Sequence, residues 1–142
     1  MKPITDEWLT RAAEDLSASQ VLLFRPDLTN AVTFHAQQAV EKALKAVIEE
    51  LDLGFVKTHS LTRLYELVRP HYAVIGDLDM LDRLDAVYID ARYPGDMGLL
   101  PTGKPTSDEA IELYSFANDI CQRLQASLQD TTATSSAGHD KV

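Results

Sequence analysis

The sequence predicts an all-α fold, an antiparallel four-helix bundle with one short extra helix. Apolar residues recur at steps of three and four along four long segments and one short segment, which is the spacing of one face of an α-helix. No stretch of useful length alternates apolar and polar residues, as a half-buried strand does. A chain of 142 residues has the size of a single domain, so the segments should share one core.

The first two predicted helices are long. The first begins near Thr5 or Asp6, either of which can serve as its N-cap, and it stops before Pro26. The second runs from about Thr29 to Leu53, and Gly54 offers a left-handed residue that could end it. The apolar stripe of the second helix consists of Ala36, Val40, Ala43, Leu44, Val47 and Leu51.

A short helix and another long one follow. Ser60 can cap the short helix, which ends at Pro70. Apolar residues between Leu78 and Ala91 carry the fourth helix, which ends before Pro94. Both helices are therefore bounded by residues that start or stop helices for local reasons.

A fifth helix follows a loop of residues 95–105, which is rich in glycine and proline. It should begin at Thr106 or Ser107, with Glu109 or Glu112 near the cap, and its apolar positions continue to Leu128. Beyond that point the residues are almost all small or polar, as in chains that do not fold. The sequence therefore predicts one helical domain over residues 1–128 and a disordered tail over residues 129–142.

The composition narrows the function. A formal net charge of −9 means that binding to nucleic acid would need a local basic patch. The lone cysteine, Cys121, cannot form an internal disulfide, which fits a reducing compartment. The N-terminal string MKPITDEW lacks the apolar core of a secretory signal, and no apolar run approaches membrane-spanning length. We therefore expect a cytoplasmic protein that does not associate with membranes.

One face of the second helix carries polar side chains at steps of three and four. At about 100° per residue, a sector of roughly 80° holds His35, Gln38, Lys42, Lys45 and Glu49. The apolar stripe lies on the opposite side, so this polar face is expected to lie outside the core. It is either a solvated face supported by a pair between Glu41 and Lys45, or a face that meets a partner or an anion.

The strings QQAVEKALKA, KTHSLTRL and YIDARYP occur in this order along the chain. Together they resemble the HEPN family, and the likeness spans roughly residues 5 to 128. The resemblance implies an antiparallel four-helix bundle with a short extra helix, commonly a homodimer and often encoded beside a minimal nucleotidyltransferase. Many members of that family are metal-independent ribonucleases or the toxin of a toxin–antitoxin pair.

The resemblance places the arginine of the family's ribonuclease motif at Arg92. Ribonuclease members carry a histidine after four to six intervening residues, and here Met, Gly and Leu occupy the corresponding positions 97–99. RNA cleavage without a metal needs a general acid or base near neutral pH, so this loss favours binding over cleavage. Arg92 can still bind phosphate through its planar fork, with Tyr93 beside it. His35 or His59 could replace the missing histidine in space.

Other candidate features have simpler explanations. His59, just before a helix start, could make a structural hydrogen bond, and Lys57, Lys42 and Lys45 either form a local basic patch or lie scattered in solvent. Residues 98–105 spell most of a phosphate-binding loop, but a proline replaces its Ser/Thr and no strand precedes it. The histidines and the cysteine lack ligand spacing, so we expect no metal site and no cofactor.

The leading hypothesis is a HEPN-type helical module that acts as a homodimer, with a nucleotidyltransferase partner or by binding RNA or a nucleotide. The residues that would line its cleft are Arg92, Tyr93, His35, Gln38, Lys42 and Lys45. The alternative is an active metal-independent ribonuclease, in which Arg92 stabilises the phosphate and a histidine such as His59 is the acid or base. A dimerising scaffold without a ligand is a third hypothesis.

Overall fold

The computed structural model describes the backbone of residues 1–92 and 104–140 and the side chains of residues 1–87 and 104–131. Its helices are α1 (Pro3–Leu22), α2 (Thr29–Glu50), α3 (Leu61–Val68), α4 (Leu78–Arg92) and α5 (Ser107–Asp140), with a 3₁₀ turn at Pro26–Leu28. The ranges just given contain no strand, and no helix within them is long and apolar enough to cross a membrane. The predicted all-α bundle of four long helices and a short one is confirmed.

Helices α1 and α2 lie side by side and antiparallel. At one end, the backbone N–H of Lys2 donates to Glu50 Oε1 at 2.9 Å. At the other end, the Ser19 hydroxyl donates to the carbonyl oxygen of Val32 at 2.8 Å. Because residue numbers rise along α1 while those of the contacted residues fall along α2, the two helices run in opposite directions.

Helix α2 is the centre of the bundle, because it packs against α1, α3, α4 and α5. Its fully buried apolar residues cover nearly half of its circumference and include Ala36, Ala39, Val40, Ala43, Leu44, Ala46 and Val47. The small alanines let neighbouring helices approach closely enough to fill the interior. The polar face, for which the sequence left both a solvated and a binding interpretation open, is partly buried, and of its five side chains only that of Glu49 belongs to an exposed residue.

The end of α2 differs from the prediction in detail. The helix ends at Glu50, and the N–H of Leu53 reaches back to the carbonyl of Ile48 at 3.0 Å. This is the long bond of a Schellman cap, and its left-handed residue is Asp52, with φ of 54°. Gly54, predicted for that role, instead has φ of 113°, a conformation that suits glycine, as the chain turns away from the helix.

The starts of α3 and α5 follow the predicted capping. Ser60 Oγ accepts the N–H of Arg63 at 3.4 Å at the start of α3. At the start of α5, Thr106 Oγ1 accepts the N–H of Glu109 at 3.1 Å, and the Glu109 carboxylate accepts the N–H of Thr106 at 3.2 Å. This reciprocal pair is a capping box, and it satisfies two amides that have no partner within the helix.

The start of α1 lies earlier than predicted. The helix begins at Pro3, a position in the first turn where the missing N–H of proline costs nothing. Thr5 and Asp6 therefore lie inside the helix, and neither is its N-cap. Thr5 is instead buried, and its hydroxyl donates to Glu50 Oε1 at 2.9 Å, which fastens the start of α1 to the end of α2.

Helix α5 continues further than predicted. Its backbone is helical to Asp140, whereas the sequence predicts a disordered tail from residue 129 onward. Tyr72 Oη lies 2.6 Å from Thr131 Oγ1, so the extension makes a tertiary contact at its beginning. Apolar patterning cannot reveal this extension, because the Gln, Ala, Ser and Thr residues of the segment neither fill a core nor break a helix.

Candidate functional site

The polar side chains of α2 join residues of neighbouring elements in two separate clusters. The first, here called the α1 cluster, consists of Asp15, His35 and Lys42. The second, here called the linker cluster, consists of Gln37, Gln38, Glu41, Lys45 and His59. His59 belongs to the α2–α3 linker, residues 51–60, which joins the end of α2 to the start of α3.

In the α1 cluster, Asp15 on α1 bridges two side chains of α2. His35 Nδ1 lies 2.9 Å from Asp15 Oδ1, and Lys42 Nζ donates to Asp15 Oδ2 at 2.5 Å. The Asp15 side chain is only 12% exposed, so a cationic partner compensates its loss of hydration. The cluster therefore clamps α1 against α2, and Lys42 is not an unpaired surface cation.

In the linker cluster, the carboxylate of Glu41 is buried and bridges a lysine and a histidine. Glu41 is 3% exposed. Its Oε2 accepts from Lys45 Nζ at 3.0 Å, and its Oε1 lies 3.1 Å from His59 Nδ1. The Glu41–Lys45 pair, which the sequence offered as support for a solvated helix face, is thus largely buried within α2, and the contact of Glu41 with His59 joins α2 to the α2–α3 linker.

The two glutamines strengthen the same junction. Gln37 is fully buried, and its Nε2 donates to the backbone carbonyl of His59 at 2.9 Å. Gln38 Nε2 donates to Gln37 Oε1 at 2.8 Å. His59 is therefore held through both its backbone and its ring, while its side chain remains 58% exposed.

Helix α4 reaches this junction through Asp85. Its Oδ1 accepts the N–H of Leu61 at 2.8 Å, and its Oδ2 accepts the N–H of Thr62 at 3.2 Å, so it caps α3 directly after His59. Arg92 is the last residue of α4, seven residues after Asp85. Seven residues are two helical turns, which places Arg92 about 10 Å further along the same face of α4.

A pocket of about 530 Å³ opens beside the linker cluster. The carbon-rich part of its wall is formed by Trp8, Ile48, Phe55, Val56 and Leu64. Lys45 Nζ lies 5.5 Å from the centre of the Trp8 ring, within the range of a cation–π contact. The linker cluster therefore borders an apolar cavity of the size that small ligands occupy.

Lys42, Lys45 and Lys57, which the sequence left either as a basic patch or as scattered lysines, do not form a patch of free positive charge. Lys42 pairs with Asp15 and Lys45 pairs with Glu41, so each contributes little net charge to the surface. Lys57 lines the pocket and is absent from the ion pairs formed among the described side chains. Tyr93, another predicted site residue, lies outside the described residues, and Arg92 is described only by its backbone.

The sequence pattern did not identify two acids that hold the site together, Asp15 and Asp85. Each lies on a different helix from the groups that it contacts. Spacing along one helix predicts which residues share a face, but it does not predict which neighbouring helix covers that face. Both acids looked like ordinary solvated residues, and no local signal distinguishes them.

The chemistry of the site is that of an oriented histidine beside a buried carboxylate. Such a carboxylate fixes the orientation of an imidazole, as in general acid–base pairs. Cys121 is no candidate nucleophile, because burial raises the pKa of its thiol to about 12. Among the side chains that the structure describes, no group of three His, Cys, Asp or Glu is arranged to hold a metal ion.

Comparisons with known proteins agree on one family. The family model of the HEPN domain matches residues 5–127. The crystal structure of TT1696 from Thermus thermophilus has a TM-score of 0.73 at 29% identity, covering 87% of this chain and 97% of that one. The archaeal HEPN homologue ST0689 has a TM-score of 0.64 at 22% identity, covering 89% and 98%, a likeness of fold alone. No curated protein matches the sequence significantly.

Proposed function

Because this chain belongs to the HEPN domain family, we propose that it is a homodimeric, cytoplasmic module that binds RNA or a nucleotide and works with a partner nucleotidyltransferase. The proposed binding surface is the side of the bundle that carries the linker cluster, Asp85 and Arg92. Dimerisation and the nucleotidyltransferase are what the family resemblance implies for this chain.

The observation that carries the proposal is the continuous polar junction between α2, the α2–α3 linker and α4. Glu41 and Gln37 hold His59, and the next residues of the chain are capped by Asp85. Arg92 follows two turns later on the same face of α4. An arginine at the end of such a surface can bind a phosphate through two parallel hydrogen bonds.

Binding without cleavage is proposed because of the residues that follow Arg92. The positions where ribonuclease members carry their histidine hold Met, Gly and Leu in this chain. Without an imidazole at that place, an acid or base for the transfer of the 2′-hydroxyl proton has to come from elsewhere. A bound phosphate would then be held but not attacked at a useful rate.

A binding and cleavage assay with two arginine variants tests this function. Fluorescence anisotropy of a labelled single-stranded RNA would measure affinity, and gel analysis in the presence of a chelator would measure cleavage. We expect salt-dependent binding, no cleavage, and about tenfold weaker binding for Arg92→Ala, the loss of one good phosphate contact. The matched control is Arg69→Ala, which removes an exposed arginine from the end of α3 and should leave affinity unchanged.

A ribonuclease with a non-standard acid or base is the second candidate, because Glu41 and His59 already form an oriented pair. In that case the chelator-treated protein degrades the RNA, and both Arg92→Ala and His59→Ala abolish degradation. Cleavage that survives both substitutions would indicate a contaminating nuclease. Absence of both binding and cleavage would leave the dimerising scaffold as the function.

The partner and the dimer are tested separately. Co-purification with a nucleotidyltransferase encoded beside this chain, through a complex that survives gel filtration, would support the partner. Light scattering at concentrations well above micromolar should give twice the chain mass. A monomer mass would remove any binding surface shared between two copies.

A further inference from the structure

The pocket beside the linker cluster has an apolar interior with aromatic walls. Ile48 and Leu64 are buried residues that line it, and Trp8 and Val56 are half-buried. Phe55 stands at its margin and is 88% exposed, which is unusual for so large an apolar side chain. Rings that face a carbon-lined cavity favour a flat aromatic ligand, since aromatic pairs add stacking to the gain from burial.

The rim of this pocket is charged but not uniformly basic. Lys45 is already paired with Glu41, while Lys57 belongs to none of the ion pairs within the described part of the chain. Glu49 lines the same pocket and carries the opposite charge. A single anionic group placed near Lys57 gains a partner, whereas a polyanion would also meet the carboxylate of Glu49 and the net charge of −9.

The wall formed by the α2–α3 linker is fastened at both ends. The Schellman cap fixes Leu53 against the end of α2, and Glu41 and Gln37 fix His59. Between these anchors, Gly54 adopts φ of 113° and Phe55 projects into solvent. The linker wall is therefore held in place by the fold itself, and the lining residue with most surface left to bury is Phe55.

We propose that this pocket binds a small aromatic molecule that carries one negative charge, such as an aryl carboxylate or sulfonate. The rings would occupy the space between Trp8, Phe55 and Val56, and the anionic group would lie near Lys57. The pocket shares Lys45 and His59 with the proposed RNA surface, but its ligand does not depend on Arg92, and the inference does not rest on that function. A nucleoside triphosphate is a poor ligand here because its several charges exceed what one lysine can compensate.

Two dyes test the proposal with the unmodified full chain. The probe 8-anilinonaphthalene-1-sulfonate has two aromatic parts and one negative charge, and N-phenyl-1-naphthylamine has the same rings without the sulfonate. Trp8 is the only tryptophan of the chain and lines the pocket, so energy transfer from tryptophan to the dye reports binding at this place. We expect saturable transfer at one dye per chain, with the sulfonate bound more tightly than the neutral dye.

Two pairs of variants at exposed positions locate the ligand. Phe55→Ala should weaken the affinity for both dyes about fivefold. Its control, Phe24→Ala, removes a similarly exposed ring outside the pocket and should leave both affinities unchanged. Lys57→Glu should weaken the affinity for the sulfonate dye about fivefold and leave that for the neutral dye unchanged. Arg69→Glu makes the same charge change at the end of α3 and should alter the affinity for neither dye.

The unfolding midpoint in urea separates a native site from dye bound to loosened chains. A ligand of the native state raises the midpoint, whereas a dye that prefers partly unfolded chains lowers it. A raised midpoint together with loss of transfer in Phe55→Ala supports the pocket. Equal affinity for the two dyes, displacement of the sulfonate by ATP at equal concentration, or transfer that persists in Phe55→Ala would overturn the proposal.

Discussion

The α1 cluster and the linker cluster share one set of groups, a carboxylate that bridges a lysine and a histidine. In the α1 cluster, Asp15 of α1 holds two side chains of α2, so the contact joins two rigid helices. In the linker cluster, Glu41 and Lys45 belong to the same helix, and the histidine comes from a segment without regular structure. The same three groups therefore clamp helices in one place and position a loop in the other.

The surroundings of the two clusters differ as well. The depression beside Asp15 and Lys42 is lined otherwise by the polar side chains of Glu7, Thr10, Arg11 and Glu14. The cavity beside the linker cluster has a wall of aromatic and aliphatic carbon. Polar depressions remain hydrated, whereas carbon-lined cavities bind ligands through burial. The difference supports a structural role for the first cluster and the proposed binding role for the second.

The largest stability effect is expected from Glu41→Ala. This substitution leaves the half-buried ammonium of Lys45 without its partner, and breaking a buried pair costs about 3 kcal/mol. Urea unfolding monitored by circular dichroism would measure the loss. Amide exchange should also become faster at His59 and Ser60, because the anchor of the α2–α3 linker is gone. A loss below about 0.5 kcal/mol would show that solvent compensates the carboxylate.

Asp15→Ala should cost less, about 1 to 2 kcal/mol, because its carboxylate retains more contact with water than that of Glu41. The same urea titration measures the loss. Amide exchange of the α2–α3 linker should stay unchanged, since the α1 cluster does not touch it. Faster exchange at His59 in this variant would contradict the separation of the two clusters.

Asp85→Ala should cost about 1 kcal/mol, because the start of α3 loses its acceptor from α4. Asp82→Ala is the matched control, since among the described side chains this exposed acid of α4 accepts from the Thr62 hydroxyl and from no backbone amide of α3. Thermal unfolding of both variants would compare them. Equal melting temperatures would mean that Ser60 alone is a sufficient cap.

The junction of α1 and α2 is expected to lose a small part of its contribution to stability at acid pH. The backbone N–H of Lys2 and the hydroxyl of Thr5 hold the pKa of Glu50 below its ordinary value. A lowered pKa stabilises the fold above the ordinary value near 4.5, and this stabilisation disappears as the pH falls through the lower, folded-state pKa. Between pH 6 and 3, the free energy of unfolding should fall by about 0.5 kcal/mol less in Glu50→Gln than in the unmodified protein. Identical pH profiles would rule out this contribution.

Local chemistry explains which parts of the fold were predictable. Ser60, Thr106 and Glu109 act on amides within three residues of themselves, and their capping roles were evident in the sequence. The end of α2 was less predictable, because a glycine and an aspartate both stood within reach of the left-handed position. The aspartate took it, two residues earlier than the glycine.

The site was predictable only in part, because its contacts join separate elements. His35, Gln38, Lys42 and Lys45 were selected correctly as one helix face, but their division into two clusters depends on Asp15 from α1 and on the returning linker. The pocket depends on how α1, α2 and the linker meet, so periodicity along one helix could not show it. The assignment of Arg92 to the site rests on the family motif, and its role stays a prediction.

An NMR titration of the isotope-labelled protein with a short unlabelled RNA tests the division of roles most directly. The account predicts shifts of the backbone amides of Gln38, His59 and Arg92, while those of Asp15 and His35 stay in place. Shifts centred on Asp15 and His35, with the linker signals unchanged, would contradict it.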